Sequence, residues 1–284
     1  MKLATCAWRV GRPAGVAGWA QRLDRAIAEA RGAELLLLPE YAAMEVAAGE
    51  MPDVTAELAR ATELSPVLLQ VAQDAARRHG IWLIPGTMPW AEDGKVVNRA
   101  HLVTPDGRVA SQDKHAMTRF EAEQWGVSAG RAPAVFETPW GRVGVAICFD
   151  GEFPNLVRVQ VEAGAWLVLM PSCTDTRHGD LRIRIAARAR AMENQCFVAV
   201  APTVGAAPWS ASLDNNHGVA AIYGPVDHGF RDDGVVAEGV VDQPGWVFAD
   251  LDPAAIAAVR EHGAVLNHRA WPAAPPPCPV ATFA

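Results

Sequence analysis

At 284 residues, 50% hydrophobic and 20% charged, the chain suits a soluble globular protein of one large or two small domains with a substantial core. Its net charge of -7 and pI near 5.6 argue against general nucleic-acid binding and against a polybasic membrane surface. The longest apolar runs, AELLLLP and GAWLVLMP, are too short to span a bilayer, and the start MKLATCAWRVGRP lacks the apolar segment of a signal peptide, so a cytoplasmic location is expected.

In chain order, KLATCAWRV predicts a first strand. GWAQRLDRAIAEARG predicts an amphipathic helix, with Trp19, Leu23, Ile27 and Ala30 on one face and Gly32 as its cap. AELLLLPEY reads as a buried strand, TAELARATELSPVLLQVAQDAARRHG as helix ending at Gly80, and IWLIPGTMPW as one strand. VVNRAHLVTPDGRVASQDK predicts a hairpin turning at Pro105-Asp106-Gly107. GRVGVAICFDGEFP is a short strand that ends at Cys148; a helix over about Asn155–Gly164 and the strand AWLVLMPS follow. A helix near Leu181–Asn194, the strand CFVAVAPTV and the strand-like pieces GVAAIYGP, GVVAEGVV and GWVFADLD complete the pattern. Apolar strands separated by helices indicate α/β architecture, and the hairpins make its sheet mixed. We read one domain over residues 1–265 and a Pro-rich, non-helical tail over 266–284, either loose or an arm lying on a partner subunit.

The five cysteines are odd in number and widely spaced, with no CxxC, which disfavours a disulfide framework and a zinc site. No G-x-G-x-x-G and no P-loop occurs, so no metal, nucleotide or other cofactor is expected.

Three ionisable residues fall at strand ends, where open α/β sheets bind ligands: Glu40 after LLLLP, Lys114 after the hairpin, and Cys148. Each has an ordinary alternative: a packed thiol, a surface acid, a solvated loop lysine. Brought together, however, they form a thiol activated by a carboxylate, with an ammonium that favours the thiolate and stabilises an oxyanion.

The pieces LLLLPEY, DKHAMTRFEAEQW and GVAICFDGEFP, in this order and spacing, resemble the nitrilase superfamily, the carbon–nitrogen hydrolases. The likeness extends over about residues 1 to 255, through HLVTPDGRV, GAWLVLMPS and ARARAMENQCFVAVAPTVG. Within the family, KHAMTRFE and PSCTDT resemble a poorly characterised amidase-like subgroup. Some of its relatives carry an added acetyltransferase domain, which is not expected in a chain that starts at its first strand. The resemblance implies an α-β-β-α sandwich and catalysis by Glu40 as general base and acid, Lys114 as oxyanion stabiliser and Cys148 as nucleophile. It implies that the Phe149 N–H completes the oxyanion site and that a second glutamate supports the lysine. Glu121 and Glu123 compete for that place, and the EQW pattern favours Glu123. Glu152, Cys173 and Thr174 are expected to line the substrate pocket, and His115 to be a supporting hydrogen-bonding residue.

The implied activity is hydrolysis of a non-peptide C–N bond in a small carboxamide or N-acyl compound through a cysteine thioester, without cofactor, in a homodimer or larger homo-oligomer. Phe149-Asp150 stands where nitrile hydrolases commonly carry Trp-Glu, which tilts the expectation to amides. Acyl transfer or nitrile hydrolysis by the same triad is one alternative. A Cys-His hydrolase pairing Cys148 with His217 is a second, and an inactive binding protein on the same fold is a third.

Overall fold

The computed structural model describes residues 1–49, 51, 53–272 and 278–280. Its elements in chain order are β1 (Lys2–Arg9), α1 (Gly15–Glu29), β2 (Leu35–Leu37), α2 (Val54–His79), β3 (Trp82–Ile84), β4 (Thr87–Glu92), β5 (Lys95–Val103), β6 (Val109–Asp113), β7 (Val135–Thr138) and β8 (Gly141–Val145). They continue with α3 (Pro154–Glu162), β9 (Leu167–Ser172), α4 (Arg177–Asn194), β10 (Phe197–Ala206), β11 (Asn215–Asn216), β12 (Ala221–Tyr223), β13 (Val235–Glu238), β14 (Gly245–Asp250), α5 (Pro253–His262) and α6 (Asn267–Ala270).

The strands run in the order β4-β5-β3-β2-β1-β10-β9-β8-β7. The link at the middle is narrow: β1 and β10 pair, in parallel, only from Trp8 opposite Thr203 to Arg9 opposite Val204. There the network folds over into two facing layers. Leu3, Leu35, Leu37 and Leu102 of the first layer pack in one cluster with Val145, Leu167, Leu169 and Val198 of the second. The alternate residues of the same strands, Ala4, Cys6, Trp8, Leu36 and Leu83, pack outward on Trp19, Leu23 and Ile27 of α1 and on Leu68 and Ala72 of α2. Strands buried on both faces read as continuous apolar runs, which explains the three leucines of β2. On the far side, α3 and α4 cover the second layer through Val157, Val161, Ile183 and Ala187. The result is the expected α-β-β-α sandwich.

The structure corrects four local expectations. IWLIPGTMPW divides into β3 and β4, because Gly86 turns the chain at φ +94. Helix α1 stops at Glu29, before the anticipated Gly32 cap. Helix α4 starts four residues early, at Arg177, because the Thr176 side chain accepts from the Gly179 N–H at 3.1 Å and caps its N-terminus. The tail begins with the short helix α6, and residues 273–277 and 281–284 of it lie outside the described residues. Among the described residues, no helix is long and apolar enough to cross a membrane.

Candidate active site

Four strand ends deliver the polar groups. Glu40 follows β2, Lys114 follows β6, Cys148 follows β8 by a short extension, and Cys173 directly follows β9. The chain leaves β8 through Cys148 at φ +49, a left-handed conformation that a side-chain-bearing residue adopts only under constraint from its surroundings. This turn opens a 3-10 segment over Cys148–Glu152. Its Asp150 accepts from the His115 and Ala116 N–H groups at 3.1 and 2.7 Å, tying the thiol's turn to the chain just past Lys114. His115 thus contributes its backbone; its side chain is exposed, contrary to the expected supporting role for the ring.

Lys114 is the hub, with 1% of its surface exposed. Its Nζ donates to Glu40 Oε1 at 2.8 Å and to Glu121 Oε2 at 2.6 Å. The glutamate in contact with Lys114 is therefore Glu121; Glu123, favoured by the sequence pattern, does not reach it. Glu123 points to solvent and pairs with Arg119 at 2.8 Å, where the two side chains are 56% and 88% exposed. The reason is a five-residue π-helical turn over Glu121–Trp125, which puts Glu121 and Trp125 inward and Glu123 outward.

Three further residues that the sequence reading passed over complete the cluster. Asn98, buried in β5, donates its Nδ2 to Glu40 Oε1 at 2.8 Å and to Glu121 Oε1 at 3.2 Å. The Tyr41 hydroxyl donates to Glu121 Oε1 at 2.8 Å. Thr118 gives Glu121 Oε2 both its N–H, at 3.0 Å, and its hydroxyl, at 2.9 Å. The other oxygen of Glu40, Oε2, accepts from the Cys173 N–H at 2.9 Å. A signal for Asn98 was available: a polar residue in an otherwise apolar strand must find partners inside the protein.

Charge and burial divide the roles. Burial pushes the Glu40 carboxyl up, the Lys114 charge pulls it back, and the balance lies at about 7. Burial works in the same direction on Glu121, but the Lys114 charge and hydrogen bonds from Lys114, the Thr118 N–H and Tyr41 outweigh it and hold that carboxyl below its usual range. Burial would lower Lys114; the two carboxylates instead raise it well above an ordinary lysine. Contrary to the expectation that the ammonium would favour the thiolate, burial and the nearby Glu40 outweigh the Lys114 charge and raise the Cys148 thiol well above its usual value, so it rests protonated beside a carboxylate that titrates near neutrality. Burial likewise pushes Cys173 up to about 12.

The cluster floors a cavity of about 460 Å³ that Glu40, Lys114, Glu121, Cys148, Phe149, Glu152, Cys173 and Thr174 all reach. That volume lies within the range of small-ligand sites. His217 is not part of the cavity lining; its Nδ1 lies 3.2 Å from Asp242 Oδ2. Along α4, Arg182 pairs with Glu152 and Arg184 with Glu238, and Arg190 is buried.

The approach of β2 to the turn before β4 fixes Glu40. The Tyr41 N–H donates to Thr87 Oγ1 at 3.0 Å, and a Cβ on Gly86 would sit 2.2 Å from the Pro39 carbonyl oxygen. Gly86→Ala is therefore expected to displace Glu40 and lower activity by about a hundredfold, with a stability loss on the order of 1–3 kcal/mol. Thermal melting and turnover of the Ala variant check this; wild-type values in both would contradict it.

Comparison with known proteins gives four findings. A model of the family described as carbon–nitrogen hydrolase matches residues 3–261. "Probable hydrolase YhcX" of Bacillus subtilis is 34% identical over 72% of this chain, and the match takes in 40% of that longer protein. A deaminated glutathione amidase of Synechocystis is 27% identical over 86% of this chain and 89% of its own. In structure, Saccharomyces cerevisiae Nit3, a nitrilase-superfamily member, superposes with a TM-score of 0.76 over 95% of this chain and 97% of its own, at 24% identity.

Proposed function

Because the chain belongs to the carbon–nitrogen hydrolase family, we propose that it is an amidase that hydrolyses a small carboxamide through a thioester on Cys148. The observation that carries this reading is the convergence of a thiol, a carboxylate titrating at about 7 and a buried ammonium at the floor of one cavity. Glu40 takes the thiol proton as the sulfur attacks the carbonyl carbon. The oxyanion that forms is met by Lys114 Nζ and the Phe149 N–H. As the tetrahedral intermediate collapses, the C–N bond breaks and Glu40 returns the proton to the nitrogen, which leaves as ammonia or an amine. Water then gives a proton to Glu40 and attacks the thioester, and the departing sulfur takes that proton back. Glu121, kept ionised by its hydrogen bonds, holds Lys114 in place throughout. The likeness to an amidase over nearly the full length of both chains supports an amide substrate.

The experiment is ammonia release from a series of primary carboxamides, followed against pH. The free enzyme is active with Glu40 ionised and Cys148 protonated, so kcat/KM should rise with pH through a midpoint near 7 and then hold level. The sign follows from Glu40: below that value its carboxyl is protonated and cannot take the thiol proton. A rate indifferent to pH through neutrality, or the absence of ammonia from every amide, would overturn the reading.

A further inference from the structure

One wall of the cavity is the loop 207–214 between β10 and β11, which supplies Ser212, Leu213 and Asp214 to its lining. The base of the loop is tied by the pairing of Gly205 with Asn216 and Ala206 with Asn215, and by the Ala207 N–H donating to the Asp214 carbonyl at 2.7 Å. Its tip is fastened from outside by an acid that the hydrolytic cluster does not use. Glu57, in the first turn of α2, is 1% exposed. Its carboxylate accepts from the Ser210 hydroxyl at 3.0 Å and from the Ser212 N–H at 2.8 Å. Ser210 Oγ in turn accepts from the Leu213 N–H at 2.9 Å.

A buried carboxylate is costly unless hydrogen-bonded, and among the described residues the side-chain partners of Glu57 all lie on this loop. Packing alone would be served by an apolar residue, as it is nearby by Leu58 and Ala61. The acid adds order to the loop tip. It also keeps Leu213 in the cluster that contains Tyr41 and Trp125, the residues flanking Glu121.

We propose that Glu57 is a latch that sets loop 207–214 as the selecting wall of the cavity, and so is a positioning residue for the acyl chain of the amide. This rests on the amidase reading above. An acyl chain long enough to reach the loop gains binding from the latched wall. A short one, seated at the thiol, does not.

The test compares propionamide with hexanamide in Glu57→Leu, Ser210→Ala and Glu57→Gln, the last keeping an acceptor for the Ser212 N–H. Hydrogen exchange at the Ser212 and Leu213 amides is followed in parallel. Glu57→Leu and Ser210→Ala should raise KM for hexanamide on the order of tenfold. KM for propionamide and kcat for both should stay within about twofold, a split that general destabilisation would not produce. Exchange at the two amides should quicken, and Glu57→Gln should recover most of the hexanamide KM. If Glu57→Leu does not fold, Ser210→Ala makes the same comparison. Equal effects on both amides, or unchanged exchange, would overturn the latch while leaving the amidase reading standing. Failure of the wild type to release ammonia from either amide would sink that reading and the latch with it.

Discussion

Lys114→Met is expected to lower amide turnover by about ten-thousand-fold, combining loss of an oxyanion donor with loss of a working base. It should also destabilise the protein by about 3–5 kcal/mol, the usual result of removing one partner from a buried charge cluster. Lys114 neutralises two carboxylates that are both buried and both within hydrogen-bond reach of its Nζ. Without it, Glu40 and Glu121 face each other across Asn98, which donates to both. Two like charges so placed cannot both remain ionised. Glu121 keeps donors from Thr118 and Tyr41, so the proton goes to Glu40 and the base is lost. Ammonia release and thermal unfolding measure the two effects separately. Glu123→Gln, at the exposed Arg119 pair, is the matched control and should alter neither. A Lys114→Met protein with wild-type turnover would show that the ammonium takes no part.

Glu40→Gln is expected to lower kcat by about a hundredfold to ten-thousand-fold, the range assigned to a positioned general base. The fold should survive. Every partner of Glu40 donates: Lys114 Nζ and Asn98 Nδ2 to one oxygen, the Cys173 N–H to the other. Glutamine has one oxygen for these donors and sets its own N–H₂ against one of them, a conflict worth about 1–3 kcal/mol. The rise of kcat/KM through pH 7 should vanish with the carboxyl that causes it. Retention of both rate and pH dependence would assign the base to another group.

The main architecture was legible because the residues that carry it are governed by simple periodicities. The run LLLL, which contains β2, is buried and announces a central strand, and Glu40 follows from where that strand stops. Lys114 follows a hairpin with a plain turn signal, and Cys148 follows a strand marked by alternating Val143 and Val145. Glu121 was not separable from Glu123, because a π-turn obeys neither the strand period nor the helical one. Tyr41 was hidden for another reason: it serves the site from a left-handed conformation at φ +57, which sequence does not announce for a tyrosine. Thr176 could have been read as a cap from its position before Gly179 and Asp180, and it sets where α4 begins. Glu57 lies on a helix whose pattern says only that its neighbours are buried; its partners are more than 150 residues away in sequence.

The proposed chemistry requires Cys148 to be an activated nucleophile although it is buried. The most direct measurement is the rate of alkylation of each cysteine by iodoacetamide, mapped by peptide mass spectrometry in the wild type and in Cys148→Ala, with ammonia release assayed alongside. Cys148 is 4% exposed and Cys278 is exposed, so accessibility alone predicts that Cys278 reacts first. The reverse is expected: Cys148 labels fastest, and the fast label and ammonia release disappear together in Cys148→Ala. Labelling that follows exposure, with Cys148 no faster than the other cysteines, would contradict it.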